Sequence, residues 1–192
     1  VTRLHWVRHG PTHATVMLGW TDRPADLSDR EAVARLDAAL PRKALLVSSD
    51  LSRASRTADL LGNGRFRLPH DPRLREIHFG AWEDRSFAAI EAGTPQRIRA
   101  FWRDAGPARA PGGETWHELQ HRVTQAVREL CARHPDEEIV IVSHFGPILT
   151  ALQLALGLSI QAAFAHRIEP LSITSMTLGP GGWSIGPINR LA

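Results

Sequence analysis

A chain of 192 residues, 43% hydrophobic and 22% charged, can bury a core of its own without disulfides or a structural metal, and it reads as one domain over residues 1–192. Its formal charge is only +3, and acidic residues are interleaved with basic ones, which argues against nucleic-acid binding. There is no apolar stretch of membrane-spanning length and no signal-peptide layout, and the single cysteine, Cys131, excludes an internal disulfide, so the expectation is a cytoplasmic protein without a membrane role.

In chain order, residues 3–8 read as a buried strand closed by Gly10-Pro11-Thr12. Residues 13–23 have no clear period and read as a loop. Ser28 with Glu31 three residues on has the capping-box pattern and predicts a helix to about Leu40, stopped by Pro41. Residues 44–47 are a second short strand, and Ser48-Ser49-Asp50 a loop and cap. The next helix sets Leu51, Ala54, Ala58 and Leu61 on one face and ends at Gly62-Asn63-Gly64. Residues 65–68 are a candidate third strand, whereas residues 74–82 mix polar and aromatic side chains without a clear element. Residues 86–105 look helical with a break at Gly93-Thr94-Pro95, and residues 106–113 form a Gly/Pro-rich loop, mobile or extended.

Thr115 is placed to cap a long amphipathic helix with Leu119, Val123, Val127 and Leu130 on its apolar side, and Cys131 on that helix reads as a small buried apolar residue. The most β-branched strand, residues 139–142, follows. Pro147 stands near the start of an apolar helix, residues 148–156, ended by Gly157. Residues 167–188 alternate around a turn at 179–182, which predicts an edge hairpin or antiparallel strands. The order of elements predicts an α/β fold, a three-layer α/β/α sandwich around a mostly parallel central sheet.

Two histidines, His9 and His144, each follow a strand directly. If those strands are parallel neighbours, both imidazoles stand on the carboxyl edge, where open α/β sheets bind ligands. A neutral imidazole can attack phosphorus through one ring nitrogen while the other keeps its proton, usually held by a backbone carbonyl. The attack splits one hard displacement into two easier ones. Arg8 offers an always-ionised fork for the phosphoryl oxygens, provided that the strand ends before Arg8 and His9 diverge to opposite faces. Arg53 and Arg56 lie near the start of a helix on the same edge, which favours anions. Glu76 near a phosphate would be pushed toward its protonated form and so suit a general acid, with Glu83 and Asp84 as open alternatives. The backbone N–H of Phe145 could add a donor beside His144. Trp20, Trp82 and Trp102 could line an apolar pocket, although core packing is the commoner use of such residues. Histidine and cysteine spacing suggests no metal site; His117 and His121, four apart on one helix, read as solvated polarity.

These segments together resemble the histidine phosphatase superfamily, also called phosphoglycerate mutase-like. Val7-Arg8-His9-Gly10-Pro11-Thr12 is similar to its Arg-His-Gly signature, and Leu51-Ser52-Arg53-Ala54-Ser55-Arg56-Thr57-Ala58 to its Leu-x-Arg-Ala-x-x-Thr-Ala helix. Leu74–Glu83 resembles its acid segment, Gly112-Gly113-Glu114-Thr115 its Gly-Gly-Glu-Ser/Thr helix start, and Val142-Ser143-His144 its second histidine. The likeness spans almost the whole chain in the family's order. It implies a phosphoglycerate mutase-like fold and catalytic roles for His9 as nucleophile, Glu76 as proton donor, and Arg8, Arg53 and His144 around the phosphate, Arg53 being selected over Arg56. Substrate contacts from Thr15 and Phe145 are expected as well; Thr15 stands where many members have asparagine, Phe145 where many have glycine, and Asp84 where a glycine is common. The resemblance further implies no metal and no cofactor and a small phosphomonoester as the binding partner. The compact stretch from Glu76 to Gly112 and the short tail after Ile188 favour hydrolysis, with a phosphoglycerate mutase as the alternative reading and a non-catalytic phosphate binder as a third. Within the family the likeness runs toward alpha-ribazole phosphatases, on His78-Phe79-Gly80-Ala81-Trp82-Glu83-Asp84-Arg85, Gly113-Glu114-Thr115-Trp116 and Ala165-His166-Arg167-Ile168.

Overall fold

The computed structural model describes residues 1–192 and builds one six-stranded sheet. In chain order the strands are β1 (Thr2–Arg8), β2 (Leu45–Ser48), β3 (Phe66–Arg67), β4 (Glu138–Ser143), β5 (Ile173–Gly179) and β6 (Gly182–Ile185). The helices are α1 (Arg30–Ala39), α2 (Ser52–Leu60), α3 (Phe87–Gly93), α4 (Pro95–Arg103), α5 (Trp116–Arg133), α6 (Phe145–Leu156) and α7 (Ile160–Phe164).

The sheet order is β3-β2-β4-β1-β5-β6. The first four are parallel, and β5 and β6 are antiparallel to their neighbours. The continuous β-branched run of β4 is explained by its central place: Ile139, Val140, Ile141 and Val142 are fully buried because both faces of the sheet are covered. Alternation along each strand feeds two cores. Leu4, Trp6, Ile139 and Ile141 pack with residues of α5 and α6, while Val7, Val140 and Val142 pack with residues of α1 and α2. The result is the expected three-layer sandwich. Cys131 is buried in the first core, where desolvation pushes its thiol up to about 11.

Several local expectations shift. Asp29, not Ser28, caps α1, its carboxylate accepting the Ala32 N–H at 2.9 Å, since the helix begins at Arg30, one residue later than a Ser28 cap would place it. Helix α6 starts at Phe145, earlier than residue 148, since a proline in the first turn costs no hydrogen bond. Helix α7, capped by Ser159, had no sequence signal strong enough to mark five residues. The β5–β6 hairpin is present, but β5 is interior and pairs with β1; of the two hairpin strands, β6 alone lies at an edge. Residues 106–113 press on Gly80, where an added Cβ would lie 2.2 Å from the Pro111 carbonyl and where φ is +51°. The capping box at Thr115 and Glu118 forms as the sequence predicts for Thr115.

Candidate active site

Strands β1 and β4 are parallel neighbours with Arg8 opposite Ser143, so the residues that follow them leave the sheet side by side. His9 and His144 meet there with ring centroids 5.1 Å apart. Gly10, the next residue after His9, packs closely on Leu27, to whose Cδ2 an added Cβ would stand 2.6 Å, and its N–H donates to Thr57 Oγ1 at 3.0 Å.

His9 is 6% exposed, and its Nδ1–H donates to the Gly10 carbonyl at 2.7 Å. A carbonyl can only accept, so the proton sits on Nδ1 and Nε2 carries the lone pair. Burial, then the Arg53 and Arg8 charges, pull the imidazole down to about 3 against the weaker pull of the Gly10 bond. The ring is therefore neutral across the physiological range. His144 is fully buried, its Nε2 lies 2.9 Å from Ser49 Oγ, and its Nδ1 has no partner. Burial, followed by the charge of Arg53, holds it neutral as well.

Two guanidiniums border the same cavity of about 220 Å³ as His9 and Glu76. Arg53 is held by the carbonyls of Thr21 and Gly19 at 2.9 and 2.5 Å, and Arg8 by that of Ile168 at 2.5 Å. In both, the Nε–H is buried and unpartnered. Three orphaned donors or acceptors, Arg8 Nε, Arg53 Nε and His144 Nδ1, thus occur around one histidine, although buried polar groups are ordinarily satisfied. An oxyanion is the ligand that would satisfy them together.

The carboxyl of Glu76 lines this cavity and accepts the Ile77 and Gly146 N–H groups at 2.9 and 3.1 Å. Burial raises its pKa, and the two backbone bonds and then Arg53 and Arg8 oppose that rise without cancelling it. A Cβ at Gly146 would come within 2.2 Å of Glu76 Oε1, so glycine is required one residue beyond Phe145.

The sequence matches the histidine phosphatase superfamily (branch 1) over residues 4–190. The chain belongs to that superfamily. A glucosyl-3-phosphoglycerate phosphatase of Mycobacterium tuberculosis is 34% identical over 198 residues, covering 96% of this chain and 87% of that protein. A probable phosphoglycerate mutase of Serratia proteamaculans is 31% identical over 194 residues, covering 94% and 87%. The alpha-ribazole phosphatase of Shigella flexneri has the same fold, with TM-score 0.88 at 23% identity over 99% of this chain and 97% of that one. The family and its phosphatase relatives make this histidine phosphatase a phosphoric ester hydrolase.

Within this histidine phosphatase the three acids left open by the sequence separate cleanly. Glu76 faces the cavity. Asp84 pairs with Arg23 at the surface. Glu83 accepts five hydrogen bonds, from the backbone of Gly19, Trp20, Thr21 and Phe79 and the hydroxyl of Thr21. It thereby shapes the loop whose carbonyls grip Arg53. Arg56 is exposed, whereas Arg53 is buried. Thr15 is exposed and does not line the cavity; Thr12 and Ala14 do, because the loop turns Thr15 outward. Phe145 lines it and stacks near Arg8, whose guanidinium carbon is 5.6 Å from the ring centre.

Ser49, Thr57, Glu83 and Trp20 were not anticipated in these supporting positions. Trp20 donates to the Glu76 carbonyl at 2.8 Å and lies under Arg75 at 4.7 Å. The position of Ser49, in the loop after β2 on the carboxyl edge, and the place of Thr57 in the Leu-x-Arg-Ala-x-x-Thr-Ala segment are the signals that could have marked two of them in advance.

Proposed function

We propose that this histidine phosphatase hydrolyses a small-molecule phosphomonoester through a phosphohistidine at His9, without a metal or other cofactor, and that residues 1–192 act as one domain. The observation that carries the reading is the free Nε2 of His9 among the three unpartnered polar atoms of Arg8, Arg53 and His144. In the first step the Nε2 lone pair forms the N–P bond while the P–O bond to the leaving group breaks. The leaving oxygen takes the proton of Glu76. Arg8 and Arg53 bind the equatorial oxygens, and catalysis is mostly positioning and charge stabilisation. With Ser49 donating to Nε2 of His144, Nδ1–H becomes a further donor to the phosphoryl group. Phe145 contributes its backbone N–H at the start of α6 and its ring at the rim.

In the second step the Glu76 carboxylate takes a proton from water, the water oxygen bonds to phosphorus and the N–P bond breaks. Inorganic phosphate leaves with His9 neutral and Glu76 protonated again. Throughout, His9 keeps Nδ1–H on Gly10. The high pKa of Glu76 supports its acid role, and kcat/KM should fall as pH rises through it. Alpha-ribazole phosphate and glucosyl-3-phosphoglycerate, named for relatives, are among the esters to test. No helix is long and apolar enough to cross a membrane; the free buried thiol of Cys131 supports a reducing, cytoplasmic setting.

Rapid quench with a labelled phosphomonoester should trap an acid-labile, base-stable phosphoprotein that is absent in His9→Ala. Release of inorganic phosphate should be unchanged by chelator and should exceed any isomerisation of phosphoglycerate. Undiminished turnover in His9→Ala would overturn the mechanism.

A further inference from the structure

An apolar cavity of about 70 Å³ adjoins the phosphate site and shares Glu76 and Phe145 with it. Its walls are aromatic: Phe101 and Trp102 of α4, Trp116 of α5 and Phe164 of α7, besides Phe79. These rings pack on one another, edge-to-face for Trp102 with Phe164 and Phe101 with Trp102, whose centroids lie 6.3 and 5.1 Å apart, and tilted for Trp116 with Phe164 at 4.7 Å. Trp116 is fixed by its indole N–H, which donates to Gln153 Oε1 at 2.7 Å. Trp102, by contrast, leaves 46% of its surface exposed at the rim. Such a large indole beside a concave apolar surface is a ready contact for a ligand.

We propose that this cavity is the subsite for the leaving group and that the enzyme selects phosphomonoesters whose leaving group presents an uncharged aromatic or compact apolar face. The inference rests on the phosphatase reading above, which makes Glu76 the donor of a proton to the leaving oxygen. A group that receives that proton must stand against Glu76, and the surface next to Glu76 on this side is the aromatic cavity. Its lining contains no cation, and Glu76 is its only charged residue. The nearby arginines are committed elsewhere: Arg75 to Asp50 at 2.8 and 2.5 Å, and Arg122 to Glu114 at 2.6 and 2.8 Å. A carboxylate or second phosphate on the leaving group would lose its water there without a counter-charge, next to a carboxyl of its own sign. An apolar ring or branched chain would instead displace water from apolar walls already held in place.

The test compares benzyl phosphate, glycerol 1-phosphate and 3-phosphoglycerate, all esters of aliphatic alcohols. Wild-type kcat/KM should be at least about tenfold higher for benzyl phosphate than for either polar ester. Trp102→Ala should reduce kcat/KM for benzyl phosphate by about tenfold and leave glycerol 1-phosphate within about twofold, while Trp102→Phe should retain most of the preference. Because Trp102 is half exposed, its variants should keep the wild-type melting temperature, which is measured alongside. Equal kcat/KM for benzyl phosphate and 3-phosphoglycerate, or an equal loss for all three esters in Trp102→Ala, would overturn the subsite while leaving His9-dependent hydrolysis intact. Hydrolysis of none of the three, or hydrolysis that persists in His9→Ala, would overturn the phosphatase mechanism itself.

Discussion

His5 and His9 belong to the same stretch of chain, four residues apart, and differ in what surrounds them. His5 lies within β1, where its Nδ1 meets Ser175 Oγ on β5 at 3.1 Å and its Nε2 meets Glu138 on β4 at 2.6 Å. Both nitrogens are occupied, so the ring ties three strands together. His9 stands one residue beyond the strand. One nitrogen is fixed by a backbone carbonyl and the other is free, beside a second buried imidazole with an unpartnered nitrogen. Of the two rings, only His9 is half satisfied, oriented through one atom and open at the other, which is the state the proposed nucleophile requires. A strand interior completes a side chain's hydrogen bonds across its neighbours, and the carboxyl edge leaves them for a ligand.

The sharpest way to break this contrast is to remove each ring. His9→Ala should lower kcat/KM by at least about 10³-fold. His144→Ala should cost about 10²-fold, as expected for a lost donor to the developing charge. Ser49→Ala, which releases the His144 ring and also the Leu51 N–H that Ser49 Oγ accepts at 3.2 Å, should cost about tenfold, and a null effect would show that the Ser49 contact does not orient His144.

Stability against pH sharpens the comparison further. Folded His9 stays neutral down to about pH 3, whereas the unfolded chain takes up a proton near 6.5. Between those values the unfolded state holds more protons, so stability rises with pH and is lost as pH falls. The buried neutral His144 acts in the same direction. The acid-side slope of Tm from pH 6.5 downward should therefore be shallower in His9→Gln; an unchanged slope would mean that the ring is already charged when folded.

Smaller effects are expected at the supporting residues. Glu83→Gln leaves donors of the 19–21 loop unpaired and should destabilise the fold by about 1–3 kcal/mol in urea unfolding, with weaker inhibition by phosphate. His5→Ala should leave kcat/KM within about twofold and cost about 1 kcal/mol of stability. A loss of turnover in His5→Ala comparable to that in His144→Ala would erase the distinction between the two environments.

The α/β class and the two strand-end histidines are legible in the sequence from local period and turn chemistry, and the preference for Arg53 from the family resemblance of its Leu-x-Arg-Ala-x-x-Thr-Ala segment. The sequence also foresaw the carbonyl that holds the His9 proton, since Gly10 is its immediate neighbour. The residues around Glu76, read locally, leave Glu83 and Asp84 as equals, and only the resemblance prefers Glu76; the physical separation of the three acids comes from the tertiary structure. Glu76, Glu83 and Asp84 lie within nine positions of one another, and only the packing of the 19–21 loop turns Glu83 toward backbone donors and leaves Glu76 for the cavity. The same holds for Thr15, turned outward, and for the aromatic walls drawn from α4, α5 and α7. Sequence fixes what a residue can do through its nearest neighbours; which groups share a cavity is set by contacts between distant segments, and no local pattern encodes them.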